Sequence, residues 1–157
     1  MKREYPSCPI PAVSAVIFSG DNVLLVRRAH APSQGRWSLP GGVVELGEPR
    51  HEALIREVFE EVGIEIAVKG LVGVFDRIVR DYQGRVRYHY VILDYWAEHI
   101  RGTARAGSDA QEVRWVSLDE LQALHVGAET VAVIERTWTM RAHNVVEAPL
   151  DPVISQG

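Results

Sequence analysis

Residues 41–63 read GGVVELGEPRHEALIREVFEEVG. Pro49 suits the first position of a helix, and Gly63 suits the residue that ends one. Between them Ala53, Leu54, Val58 and Val62 recur at three- and four-residue spacings, which gives one apolar stripe. The same segment places Glu57, Glu60 and Glu61 on a single turn. Residues three and four apart are neighbours on a helix surface, and like charges there cost roughly 0.2–0.5 kcal/mol per pair. The acids also crowd the C-terminal half, where the helix dipole disfavours negative charge. A bound cation is the obvious compensation.

Outward from this segment, VSAVIF and NVLLVRR flank a Gly/Asp/Asn turn and read as a β-hairpin. The preceding tail, with Pro6, Pro9 and Pro11, reads as extended. APSQGRWSLPGG is a loop with a short extended piece around Trp37–Leu39. After the helix, IEIAV and GLVGVFDRIV read as two strands, RDYQGR as a turn, and VRYHYVILDYWAEHI as a long strand rich in aromatic and β-branched residues. RWV is a short strand. SLDELQAL opens with a capping box, Ser117 and Glu120, and predicts a helix. ETVAVIERTWTM predicts another, and the tail from Asn144 reads as irregular. This order predicts a mixed α/β or α+β domain with a sheet between helices. The chain of 157 residues reads as one domain, with a core over about 12–140 and flexible tails.

Composition narrows the function classes. With 46% hydrophobic and 24% charged residues the chain is not of the disordered type. A net charge of −4 argues against a nucleic-acid or membrane-surface binder. A single cysteine, Cys8, rules out an internal disulfide framework and a thiolate zinc cluster. No secretory h-region and no membrane-length apolar run occurs, so the expected location is cytoplasmic. An acidic protein with a polyanionic substrate needs a metal or local arginines to mediate.

The acids of the opening stretch form part of a longer pattern. Gly42, Glu48, Arg56-Glu57-Val58, Glu60-Glu61, Gly63 and Ile64 spell G-x5-E-x7-R-E-U-x-E-E-x-G-U, where U is bulky and apolar. This resembles the signature of the Nudix hydrolases, with every specified position filled. The resemblance implies an α/β/α sandwich with a mixed sheet and a loop–helix–loop motif. It also implies metal-dependent hydrolysis of the diphosphate bond in a nucleoside diphosphate linked to another group X. Residue by residue, it implies that Glu57, Glu60 and Glu61 hold Mg²⁺ or Mn²⁺, with the Gly41 carbonyl as a further ligand. Arg56 and Glu48 become supporting residues, Arg56 orienting carboxylates by bidentate hydrogen bonds. The chemistry agrees: carboxylates are hard oxygen ligands, and glycine lets backbone approach an ion closely.

The family often draws one more acid, a base or an extra ligand, from a downstream loop. AGSDAQEVRW offers Asp109 and Glu112, with Asp109 ranked slightly ahead; each also reads as a solvated loop acid, and a Gly-Ser-Asp turn alone would account for Asp109. Of Arg27 and Arg28, strand alternation lets at most one meet substrate phosphate. Trp37 reads equally as a stacking partner for a base or sugar and as packing. Tyr88, Tyr90 and Trp96 share a strand face and read as core or interface packing, with His89 on the opposite face.

The resemblance implies a small-molecule nucleotide as substrate, with ADP-ribose or a related nucleotide-sugar favoured by the look of the flanking segments. A proline associated with ADP-ribose hydrolysis, about 16 residues after the motif, is replaced by Arg80. Tyr82 falls where diadenosine polyphosphate hydrolases carry a tyrosine. The alternatives are those hydrolases, a nucleoside triphosphate pyrophosphatase that removes damaged nucleotides, and a non-catalytic ligand sensor. The aromatic strand 86–96 could build a homodimer, since aromatic residues are enriched at interfaces.

Overall fold

The computed structural model describes residues 2–107 and 109–146. Residues 147–157, part of the tail read as irregular, lie outside the described residues, as does Ser108 of the Gly-Ser-Asp turn. The elements in chain order are β1 (Ile10–Ser19), β2 (Asn22–Arg28), β3 (Trp37–Ser38), β4 (Gly41–Val43), α1 (Arg50–Val62), β5 (Glu65–Arg80), β6 (Val86–Arg101), β7 (Ala110–Val116), a 3₁₀ turn (Leu118–Glu120) and α2 (Ala128–Ala142). All seven strands belong to one sheet, ordered β3-β2-β1-β6-β5, with β4 also paired to β1 and β7 to β2. The sheet is mixed: β1 runs parallel to β6, while the other pairings are antiparallel.

Strand alternation sends successive side chains to opposite faces, and both faces of this sheet are covered. Val13, Ala15 and Ile17 of β1 pack with Ala53, Leu54, Val58 and Val62, the apolar stripe of α1. Val16 and Phe18 pack the other way, with Val133 and Ile134 of α2. The result is the expected helix–sheet–helix sandwich.

Two elements differ from the sequence reading. The two strands expected on either side of Lys69 are one strand, β5, sixteen residues long. Its pairing with β6 slips at Val68/Gly70 and again at Leu71/Gly73. The apparent break is a pair of bulges, each adding a residue without ending the ladder. The helix expected over SLDELQAL is a single 3₁₀ turn. Glu120 accepts from the Ser117 amide at 3.4 Å and hydroxyl at 3.1 Å, so the cap forms. Helix does not propagate, and His125 takes a positive φ of 53° just beyond. By contrast α2 forms despite its β-branched content; the buried Thr137 hydroxyl donates to the Val133 carbonyl at 2.6 Å.

The N-terminal tail docks on the β5–β6 hairpin. The Tyr5 amide donates to the Arg87 carbonyl at 2.8 Å, its hydroxyl donates to Asp81 at 2.9 Å, and Glu4 pairs with Arg87 at 2.8 Å. At the hairpin tip Asp81 also accepts from the Gln83 and Arg85 amides, and Tyr82 points into solvent. Among the described residues no helix is long and apolar enough to cross a membrane.

Candidate active site

β4 enters the site because it has almost no side chains. Gly41 pairs with Ser14 and Gly42 with Val13 on β1. A Cβ on Gly41 would lie 2.1 Å from the Val13 carbonyl oxygen, and one on Gly42 would lie 2.3 Å from the Glu57 carboxyl. The strand can therefore slide between β1 and the acidic face of α1. The Gly41 amide donates to Glu61 at 3.0 Å.

Arg56 organises the remaining acids. Its guanidinium meets Glu48 at 2.6 and 2.9 Å in a bidentate pair, Glu57 at 3.0 Å, Glu60 at 3.1 Å and the Val43 carbonyl at 3.3 Å. Partners on every side raise the guanidinium's pKa above its usual value, the Glu48 hydrogen bond most. The same contact holds Glu48 below the usual carboxylate range. Glu57 and Glu61 move the other way. Burial raises Glu57, outweighing Arg56. Burial pushes Glu61 up to about 7; the Gly41 amide and Arg28 oppose this, and the charges of Glu57 and Asp109 add to it.

The loop before β7 reaches this cluster by capping α1. The Arg105 amide donates to the Val62 carbonyl at 3.0 Å and the Gly107 amide to the Glu61 carbonyl at 2.7 Å, satisfying helix-end acceptors. This docking carries Asp109 to the acids. Asp109 lines their cavity and lies 3.6 Å from His30. Glu112 is not brought there. It sits on β7 opposite Arg27 and meets Arg114 at 3.1 Å.

One cavity of about 1100 Å³ runs from the acids across the sheet to α2. Its walls include the carboxylates Glu57, Glu60, Glu61 and Asp109 and the guanidiniums of Arg28, Arg77 and Arg136, with Arg28 close enough to oppose the rise in the Glu61 pKa. The two neighbouring arginines part company as alternation requires. Arg28 faces the cavity, steadied by the Pro32 carbonyl at 2.8 Å, while Arg27 turns to the Gly35 carbonyl. Trp37 does not reach the cavity: it packs on the α2-side core under Arg114, and its neighbours Ser38 and Leu39 line the wall instead. Trp96 is core, as its strand face implied, but Tyr90 is in the cavity wall.

Arg77 was not legible as a site residue. It belongs to no motif and lies on β5, twenty residues or so beyond the acids in sequence, where nothing local shows which wall it faces. Burial lowers its pKa, and the nearby charge of Arg28 adds to this. Its guanidinium donates to the Ser33 hydroxyl. Among the described residues neither Arg28 nor Arg77 forms an ion pair with a carboxylate.

The donor set suits a hard divalent cation: three carboxylates, with a glycine strand leaving room beside them. As placed, no three such side chains among the described residues converge on one point. Glu57 and Glu60 turn to Arg56, and Glu61 to the Gly41 amide. Gly41 is engaged through its amide, which donates to Glu61.

The comparisons with known proteins agree with this geometry. The NUDIX domain profile matches residues 9–136. An ADP-ribose pyrophosphatase of Methanocaldococcus jannaschii is 37% identical over 130 residues, which are 83% of this chain and 75% of that one. The CTP pyrophosphohydrolase of Escherichia coli is 31% identical over 85% of this chain and 94% of its own. Among solved structures, a MutT NUDIX hydrolase from Burkholderia pseudomallei superposes with a TM-score of 0.71 at 30% identity, covering 83% of this chain and 98% of that one. A mixed sheet between two helices, a glycine strand against an acidic helix and a profile spanning most of the length converge on one assignment: the chain belongs to the Nudix hydrolases, enzymes that hydrolyse pyrophosphate bonds.

Proposed function

We propose that this enzyme cleaves the diphosphate of a nucleotide-sugar of the ADP-ribose type, giving a nucleoside monophosphate and a sugar phosphate. One observation carries the reading. A single cavity of nucleotide-sugar size holds the carboxylates together with Arg28 and Arg77, neither of which forms an ion pair with a carboxylate among the described residues. The relative named ADP-ribose pyrophosphatase supports the choice of substrate.

In this reading Glu57, Glu60 and Glu61, with the Gly41 carbonyl, hold Mg²⁺ or Mn²⁺. Bound there, the ion would neutralise the carboxylates, polarise a phosphoryl oxygen and activate water. Arg56 and Glu48 hold the acids in place. Arg28 and Arg77 bind the oxygens of the diphosphate. Asp109, open to solvent beside Glu61, accepts a proton from the attacking water. Glu112 and Arg27 have no part, since their side chains are engaged elsewhere.

A second reading, nucleoside triphosphate pyrophosphatase, is favoured by the CTP pyrophosphohydrolase relative, whose length the match covers almost entirely. The separating measurement is kcat/KM with Mg²⁺ across ADP-ribose, diadenosine tetraphosphate and the (deoxy)nucleoside triphosphates. ADP-ribose should lead. A triphosphate ahead by more than about tenfold, or 1.4 kcal/mol of transition-state preference, overturns the nucleotide-sugar reading.

A further inference from the structure

Asp94 has no place in the chemistry above, yet it stands in the same cavity. It lies on β6 beside Ser14 of β1, and the Ser14 hydroxyl donates to its Oδ1. The side chain is buried, with 6% of the residue exposed. Among the described residues Oδ2 accepts no hydrogen bond and no cation pairs with the carboxyl.

Burying a carboxyl beside one hydroxyl costs stability, and replacing both partners by apolar groups would be neutral or better. The pair caps no helix and closes no turn. Its position says what it can meet. Gly41, Ser14 and Asp94 lie on three adjacent strands, β4, β1 and β6. At about 4.8 Å per strand, Asp94 is roughly 10 Å from the glycine strand that adjoins the acids. That is too far to touch the reacting phosphorus and about right for a sugar or base attached to it. A carboxylate repels phosphate, so the group received there is neutral and donates hydrogen bonds.

We propose that Asp94, with Ser14, forms the subsite that recognises the nucleoside half of the substrate through a hydroxyl or amino donor. This rests on the reading that the cavity holds the substrate. Two groups carry the chemistry: a ribose hydroxyl and the exocyclic amine of the base. Asp94 is a specificity residue, remote from the bond that breaks.

The test is direct binding, measured by calorimetry without turnover. The probes are AMP, 2′-deoxy-AMP and IMP, titrated into the wild type, Asp94→Asn and Asp94→Leu, with Ser14→Ala as a gentler variant. A site built for a donor discriminates strongly against analogues lacking it. One analogue should therefore bind the wild type roughly tenfold or more weaker than AMP. Loss with 2′-deoxy-AMP names the ribose; loss with IMP names the amine. The Asp94 variants should weaken AMP and erase that difference, and Ser14→Ala should reduce it. Equal binding of all three probes to the wild type, or folded Asp94 variants that retain its discrimination, overturns the proposal. Asp94-dependent discrimination in an enzyme that fails to cleave ADP-ribose supports this subsite while overturning the substrate reading.

Discussion

Single residues in this site were legible in proportion to how local their signal is. Glu57, Glu60, Glu61, Arg56 and Glu48 lie within one helix and the turn before it, and the resemblance carried by that one local motif implies the supporting role of Arg56, whose network forms. Asp94 and Arg77 sit on strands. Their exposure to the cavity follows from the β1–β6 and β5–β6 registers, which no local pattern encodes. Asp94 also leaves a stability signature. Burial pushes its carboxyl up to about 6, with the Ser14 hydrogen bond opposing. The folded chain therefore holds this proton more tightly than the unfolded chain. The group favours folding most below about pH 4, the ordinary aspartate range, and that contribution is lost as pH rises from there through about 6. Asp94→Asn should be more stable than wild type at pH 7.5, by up to about 3 kcal/mol. The gap should close near pH 4. Urea midpoints at the two pH values check this, and an equal gap at both would show that Asp94 does not titrate as its burial implies.

At the scale of elements, the two glycines of β4 do different work. Gly41 abuts backbone: its Cβ would meet the Val13 carbonyl oxygen at 2.1 Å and the Ser14 Cα at 2.6 Å. Gly42 abuts the end of a side chain, the Glu57 carboxyl at 2.3 Å. Backbone cannot swing aside, and a carboxyl can. Gly41→Ala should cost about 3 kcal/mol, the upper range for overpacking. Gly42→Ala should cost about 1 kcal/mol or less and lose activity instead, because Glu57 must leave its place. Paired unfolding and turnover measurements separate the two, and the reverse ranking in stability would refute the contrast. The helix α1 and the β1–β2 hairpin were readable because their caps and turn residues agree with their periodicity. The split of β5 was misread because Lys69-Gly70 resembles a break, whereas β6 runs straight past it and β5 itself absorbs the slip in a bulge. The SLDELQAL segment shows the converse: a good cap starts a turn, but Leu121 is buried and His125 has a positive φ, so the chain turns away.

At the scale of the molecule, the sandwich was legible from element order, but the cavity was not. It is assembled from β1 to β6, α1, α2 and the loops after β2 and before β7, and only the folded topology brings these together. The assembly gathers Glu57, Glu60, Glu61 and Asp109 around one cavity, so a divalent cation should favour the folded state over the unfolded one. At ten times its dissociation constant the gain is about 1.4 kcal/mol, or roughly 2–5 °C in Tm for a domain of this size. Melting in EDTA and in millimolar Mg²⁺ or Mn²⁺ tests this; identical midpoints, with no heat of binding in the presence of AMP, would refute the site. The docked N-terminal tail has a practical consequence. Residues 4 and 5 are stitched to the β5–β6 hairpin, and Arg3 stands in the cavity wall. A purification tag joined at that end would hang at the doorway of the site, and kinetic constants measured on it would describe the tag as much as the enzyme.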